Sequence, residues 1–115
     1  MELHRFEKPA AVEELVFRVK PECLEEFIQA DHEIWTLYLA KCPGFMSKEV
    51  WVSDTVPGEV TSIIYWSDYE LWQQVSVEEM AEVQKQFDAR VGVENYEFVS
   101  APHETSQKYR VTEYK

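Results

Sequence analysis

Asp31 is a carboxylate at a helical phase that belongs to apolar side chains: at about 100° per residue it falls among Phe27, Ile34 and Trp35. A carboxylate in such a stripe must be hydrogen-bonded, ion-paired or protonated, because an isolated buried charge is costly. Facing a cavity between helix and sheet, it would serve as a base or a polar anchor. Otherwise it caps a loop or pairs with a lysine or arginine, as structural carboxylates do. His32 follows on the margin of the same stripe, one turn before Trp35. Histidine titrates near neutrality and is the natural proton carrier if there is catalysis, with a half-exposed helix position as its ordinary alternative. Asp31, His32 and Glu33 point in different directions and no His-x-x-x-His spacing occurs, so no metal site is expected.

Arg18 and two tryptophans complete the candidates. Arg18 lies on the opposite side of a strand from Leu15 and Phe17, where it would clamp an anion inside a dimeric barrel or form an exposed or interfacial ion pair. Trp35, Trp51, Trp66 and Trp72 fall on four different elements, more aromatic surface than one small core needs. Trp35 and Trp66 are placed to line a ligand pocket. Trp72, Met80 and Phe87 read as packing between helix and sheet. The glycines at 44, 58 and 92 make no phosphate loop, and serine-nucleophile, dithiol and zinc patterns are absent. No cofactor is expected.

The elements that must position these residues follow from the period of the apolar pattern. Residues 1–11 lack a period, contain Pro9 and read as a lead-in. Val12–Lys20 alternates and is strand one, stopped by Pro21. Residues 22–42 carry a helical stripe closed by Pro43 and Gly44. Phe45–Val52 and Val60–Trp66 are strands two and three around a turn with Pro57 and Gly58. Ser67 with Glu70 reads as a capping box, and Ser76 with Glu79 restarts or kinks the second helix, which runs to Gly92. Glu94–Val99 is strand four. Beyond Pro102 a tail, residues 102–115, carries a short strand around Tyr109–Tyr114 that packs on an outer strand or on a partner.

The order βαββαβ is the ferredoxin-like arrangement: an α+β domain over residues 12–101, with a four-stranded antiparallel sheet and two helices on one face. Apolar groups fall on both sides of the strands: Val16, with either Val50 and Val52 or Trp51, and either Ile64 with Trp66 or Ile63 with Tyr65. A bare face of that kind is an apolar patch in water, and a homodimer that closes two sheets into a barrel is the simplest cover.

Composition narrows the partners. The chain has 115 residues, 45% of them hydrophobic, enough for one domain with a real core. Its formal net charge of -11 repels phosphate backbones and anionic membranes, and Lys108, Arg110 and Lys115 are too small a footprint for nucleic acid. Cys23 and Cys42 sit at the two ends of one helix, too far apart for a disulfide. The opening MELHRFEKPAAVEE is charged throughout and no long apolar run occurs, so a cytoplasmic protein is expected.

The run SIIYWSDYELWQQV, from a strand ending in Trp66 into a helix with Trp72, resembles the dimeric α/β-barrel superfamily of antibiotic-biosynthesis-type monooxygenases and their haem-degrading relatives. The stretch VEELVFRVKPECLEEFIQADHEIWTLYLAKCPGF is similar to that superfamily's first strand, long helix and Pro-Gly-Phe exit. In overall look it is closest to a small uncharacterised cyanobacterial family of this fold. The resemblance covers roughly residues 12 to 100 and implies a dimeric barrel. Its haem-degrading members use an Asn on the first strand, a Trp ending the third and a His on the second helix. Trp66 matches the Trp, but strand one has no Asn and the helix around Gln84 has no His. Two function classes remain. One is a small-molecule-binding protein or cofactor-independent monooxygenase-like enzyme acting on a small organic compound, with proton transfer by Asp31 or His32. The other is a non-catalytic homodimeric binding or stress-associated protein. A pocket lined by Asp31, His32, Trp35 and Trp66 favours the first, and tight packing with no cavity the second.

Overall fold

Leu15, Phe17 and Val19 alternate with Val16 and Arg18 along the central strand β1, Leu3–Val19, and turn toward the helices. The computed structural model describes residues 1–115. Its β1 starts well before Val12, inside the stretch expected as a lead-in. Pro9 has no N–H to contribute to a ladder, and the register between β1 and the last strand, β5 (Lys108–Tyr114), shifts between Arg5 and Ala10. The aperiodic opening is thus strand bent around a proline.

The helix expected over residues 22–42 is not one regular helix. A 3-10 turn, Pro21–Cys23, leads into α1, Leu24–Ala30, then a π-helical turn, Asp31–Thr36, then α2, Leu37–Leu39. The Leu37 N–H donates to the His32 carbonyl, five residues back. Such π-helical insertions widen a helix by one residue and recur at functional sites.

A hairpin of β2, Phe45–Val52, and β3, Glu59–Trp66, follows. It is closed by Gly58 at φ 80°, where an added Cβ would stand 2.0 Å from the Val19 carbonyl oxygen. Helix α3, Tyr69–Gln73, is capped by Asp68 rather than Ser67: Asp68 Oδ1 accepts from the Glu70 N–H at 2.8 Å. Ser76 caps α4, Val77–Val91, accepting from the Glu79 N–H at 3.1 Å, and produces the expected break between the helices. Strand β4 is Tyr96–Ser100.

The sheet is antiparallel in the order β2-β3-β1-β4, with β5 beside β1, and the helices cover one face. This is the expected ferredoxin-like βαββαβ topology. Arg90 on α4 holds Glu26 and Glu33 at 2.6 Å each, tying α4 to α1 and the π turn. Two apolar clusters form beneath the helices. Val19, Phe27, Ala30, Val60, Phe87 and Val91 make one, and Ala11, Leu39, Ile64 and Trp66 the other. On the helix-free face the Arg110 guanidinium lies 4.4 Å from the Tyr65 ring centroid and 5.2 Å from that of Phe6, while Trp51 and Val99 remain exposed. No helix is long and apolar enough to cross a membrane.

Candidate functional site

A cavity of about 500 Å³ lies between the helices and the sheet, with wall residues from both apolar clusters. That is the size range of pockets for drug-sized organic ligands. Its floor is set by strand register. Lys48 on β2 stands opposite Ile64 on β3, and Ile64 opposite Glu13 on β1. These three form one row across the helix-facing side, with the Cα atoms of Lys48 and Glu13 two strand spacings, about 10 Å, apart. Ser62 and Trp66 flank the row along β3, and all five residues line the cavity.

Three ionisable groups therefore meet in an apolar chamber. Lys48 Nζ donates to Asp31 Oδ2 at 2.7 Å and to Thr36 Oγ1 at 2.9 Å. This buried pair answers what Asp31 does in an apolar stripe: it neutralises a lysine pointing inward from β2. Burial pushes the Glu13 carboxyl above its ordinary value, partly offset by the Trp66 indole, His103 and Lys48. Trp66 Nε1 donates to Glu13 Oε1 at 3.0 Å. Trp66 stacks on Trp72, ring planes within 3° and centroids 6.5 Å apart. The His103 ring meets Trp72 edge-on at 4.9 Å, and its Nδ1 lies 3.0 Å from the Glu14 carbonyl oxygen. Ser62 is buried among the lining residues.

At the side where β4 forms the edge, Gln84 and Tyr96 enter the wall. Gln84 Nε2 donates to Asp88 Oδ1 at 2.9 Å and to the Tyr96 hydroxyl at 2.7 Å, and the Tyr96 hydroxyl donates to the same Asp88 oxygen. Burial and the Asp88 carboxylate push the Tyr96 phenol upward, which keeps it protonated. Phe98 and Val77 line the cavity and are exposed, so the chamber opens between β4 and the start of α4.

Of the residues singled out from sequence, the structure brings Asp31, Trp35 and Trp66 together in this wall. His32 is exposed, turned away from the cavity. Arg18 stands at the far end of β1, exposed and 4.0 Å from Glu59. Sequence reasoning passed over Glu13, Lys48 and Ser62. The alternation of β1 carried the signal for Glu13, since it shares the inward phase of Leu15 and Phe17. No imidazole or thiolate lines the cavity, so its wall does not fit the usual haem ligands. No group of three His, Cys, Asp or Glu side chains is arranged to hold a metal ion.

No family model matches the chain, and no curated protein matches it. Solved structures do. SnoaB from Streptomyces nogalater, a cofactor-independent oxygenase, superposes with a TM-score of 0.60 at 12% identity over 93% of this chain and 96% of its own. The ActVA-Orf6 monooxygenase of Streptomyces coelicolor, solved with nanaomycin D, gives 0.60 at 16% identity over 80% of this chain and 85% of its own. An anthrone oxidase-like protein gives 0.60 at 19% identity, covering 92% of this chain and 46% of its own. At such identities the likeness establishes a shared fold: the ferredoxin-like fold of this chain is one that these proteins also have.

Proposed function

We propose that the protein binds a small aromatic compound in the cavity beneath its helices and oxidises it with dioxygen, without a cofactor. The observation that carries this reading is Glu13, a carboxyl of raised proton affinity inside an apolar chamber, in the same cross-strand row as the Lys48 ammonium and two strands away from it. A base of that kind withdraws an acidic C–H or O–H proton from a substrate held against Trp66. The charge left on a carbonyl or phenol oxygen is met by Lys48 and by the Ser62 hydroxyl, which act as preorganised donors. Asp31 serves as a polar anchor that holds Lys48 in place.

Without a cofactor the substrate must supply every electron. A methylene flanked by aromatic rings satisfies this: one such methylene and one dioxygen give one diaryl ketone and one water. Carbon loses four electrons, one oxygen atom enters the product, and the other leaves as water with the two methylene protons. The folds of SnoaB and the anthrone oxidase-like protein support this class of chemistry.

The same reading includes a homodimer. Val16, Trp51, Ile63, Tyr65 and Val99 lie on the sheet face without helices, with Trp51 53% and Val99 47% exposed. A second copy is the cover that symmetry supplies most simply.

The test is oxygen uptake with an anthrone in chelator-treated buffer, followed by absorbance of the quinone. Glu13→Gln is expected to lower kcat by about 10²–10⁴-fold, the usual worth of a positioned base. Saturable anthrone binding without oxygen uptake would leave a binding protein in place of an enzyme.

A further inference from the structure

We propose that Gln84, Tyr96 and Asp88 form a specificity subsite that only accepts hydrogen bonds, so that the ligand must present a hydroxyl or N–H at the α4 side of the cavity. This deepens the preceding reading and rests on it for the presence of an aromatic ligand.

The argument is a count of hydrogens. A glutamine amide has two N–H donors and one carbonyl acceptor. Both Gln84 hydrogens are committed, one to Asp88 Oδ1 at 2.9 Å and one to the Tyr96 hydroxyl at 2.7 Å. The Tyr96 proton is committed to the same Asp88 oxygen. The three side chains thus close a ring in which every hydrogen is used. Turning the Gln84 amide over would set its carbonyl oxygen against the Asp88 carboxylate, acceptor against acceptor, so the carboxylate fixes which way the amide points. The group Gln84 has left is Oε1, an acceptor.

The opposite side of the chamber differs in kind. Lys48 has three protons and uses two, on Asp31 and Thr36, and the Ser62 hydroxyl stands beside it in the lining with a proton to donate. That side can donate to a ligand oxygen. The cavity is therefore polarised: Lys48 and Ser62 donate over the β2–β3 side, and Gln84 accepts beside β4. A phenolic hydroxyl suits the Gln84 end, whereas a quinone carbonyl there would oppose one lone pair with another. Gln73 is exposed, so water can satisfy either end of its amide and it imposes no such choice. The proposed oxidation of a methylene leaves such a hydroxyl unchanged, so this subsite orients the ring rather than sensing its oxidation state.

The experiment is a fluorescence titration, using the cavity tryptophans as reporters, with a naphthalenediol, its monomethyl ether and its dimethyl ether. The diol and the monomethyl ether, each with a hydroxyl to present, are expected to bind about tenfold more tightly than the dimethyl ether, the worth of one neutral hydrogen bond. In Gln84→Leu both should fall to the affinity of the dimethyl ether. In Tyr96→Phe, which frees one Gln84 hydrogen, the amide can offer a donor and the preference should shrink, with Kd of the dimethyl ether improving. Equal affinities of monoether and dimethyl ether in the wild type would overturn the subsite, as would a tenfold preference that survives Gln84→Leu. Binding of all three compounds with equal strength removes the subsite alone. Binding of none removes the ligand cavity on which it rests.

Discussion

Trp66 and Glu13 sit diagonally on neighbouring strands: Ala11 is opposite Trp66 and Glu13 opposite Ile64, and the indole N–H crosses that diagonal to Glu13 Oε1 at 3.0 Å. The indole thereby fixes one of the two carboxyl oxygens. A large apolar ring beside the carboxyl also keeps water away from it, which is why burial outweighs the indole hydrogen bond in setting its proton affinity.

A carboxyl whose affinity for its proton is higher in the folded than in the unfolded chain favours folding fully below its unfolded value. Its contribution declines as pH rises through the window from the ordinary 4.5 up to the folded value. Glu13→Gln removes that decline. The stability of the variant relative to wild type should therefore rise across this window and level off above it. Urea unfolding over a pH series measures the difference, and a difference independent of pH would show that Glu13 is not perturbed.

Lys48 and Asp31 form a pair with side chains only 5% and 13% exposed. Asp31→Asn leaves the ammonium buried without its counter-charge and should cost about 3 kcal/mol. Asp31→Leu combined with Lys48→Met should cost less than the single change. A double-mutant cycle by urea denaturation gives the coupling. Ligand binding should weaken in Asp31→Asn while the sedimentation behaviour stays that of wild type; additive single effects would reject the pairing.

Sedimentation equilibrium should return twice the 13.6 kDa chain mass at tens of micromolar. Trp51→Glu, which sets a charge on the helix-free face, should shift the population toward monomer. A wild-type monomer throughout that range would reject the dimer.

Haem titration followed in the Soret region should show no saturable one-to-one complex, since neither imidazole nor thiolate lines the cavity. A sharp stoichiometric spectrum would reverse this and direct attention to Met80 and Tyr96 in the wall.

The topology was legible because period 2 and period 3.6 alternate cleanly from Val12 onward, and Trp66, Trp35 and Asp31 could be placed by phase alone. Phase tells which way a side chain points, not what it meets. Lys48 is a polar residue of a strand like others, and only the register sets it under Asp31. Glu13 was obscured because the strand was begun at Val12, so that its single inward carboxylate stood at the margin of the pattern. The cap moved from Ser67 to Asp68 because both residues suit that position and only the backbone at Asp68, φ -155° and ψ 128°, leaves the helix there. His32 could not be settled from a wheel drawn at a uniform angle, since the helix unwinds at Asp31 itself.

The π turn has a consequence for how this chamber tolerates change. A helix that carries one surplus residue between two regular segments bears the mark of an insertion absorbed without moving either end. Deleting one residue between His32 and Thr36 would let α1 run straight into α2 with both ends in place, and only the turn that carries Asp31 and Trp35 would narrow. The width of the chamber, and with it the meeting of Asp31 and Lys48, is governed by the length of the chain as much as by its side chains. Among relatives of this protein, gaps at this point in the helix should separate those that keep the chamber from those that have filled it.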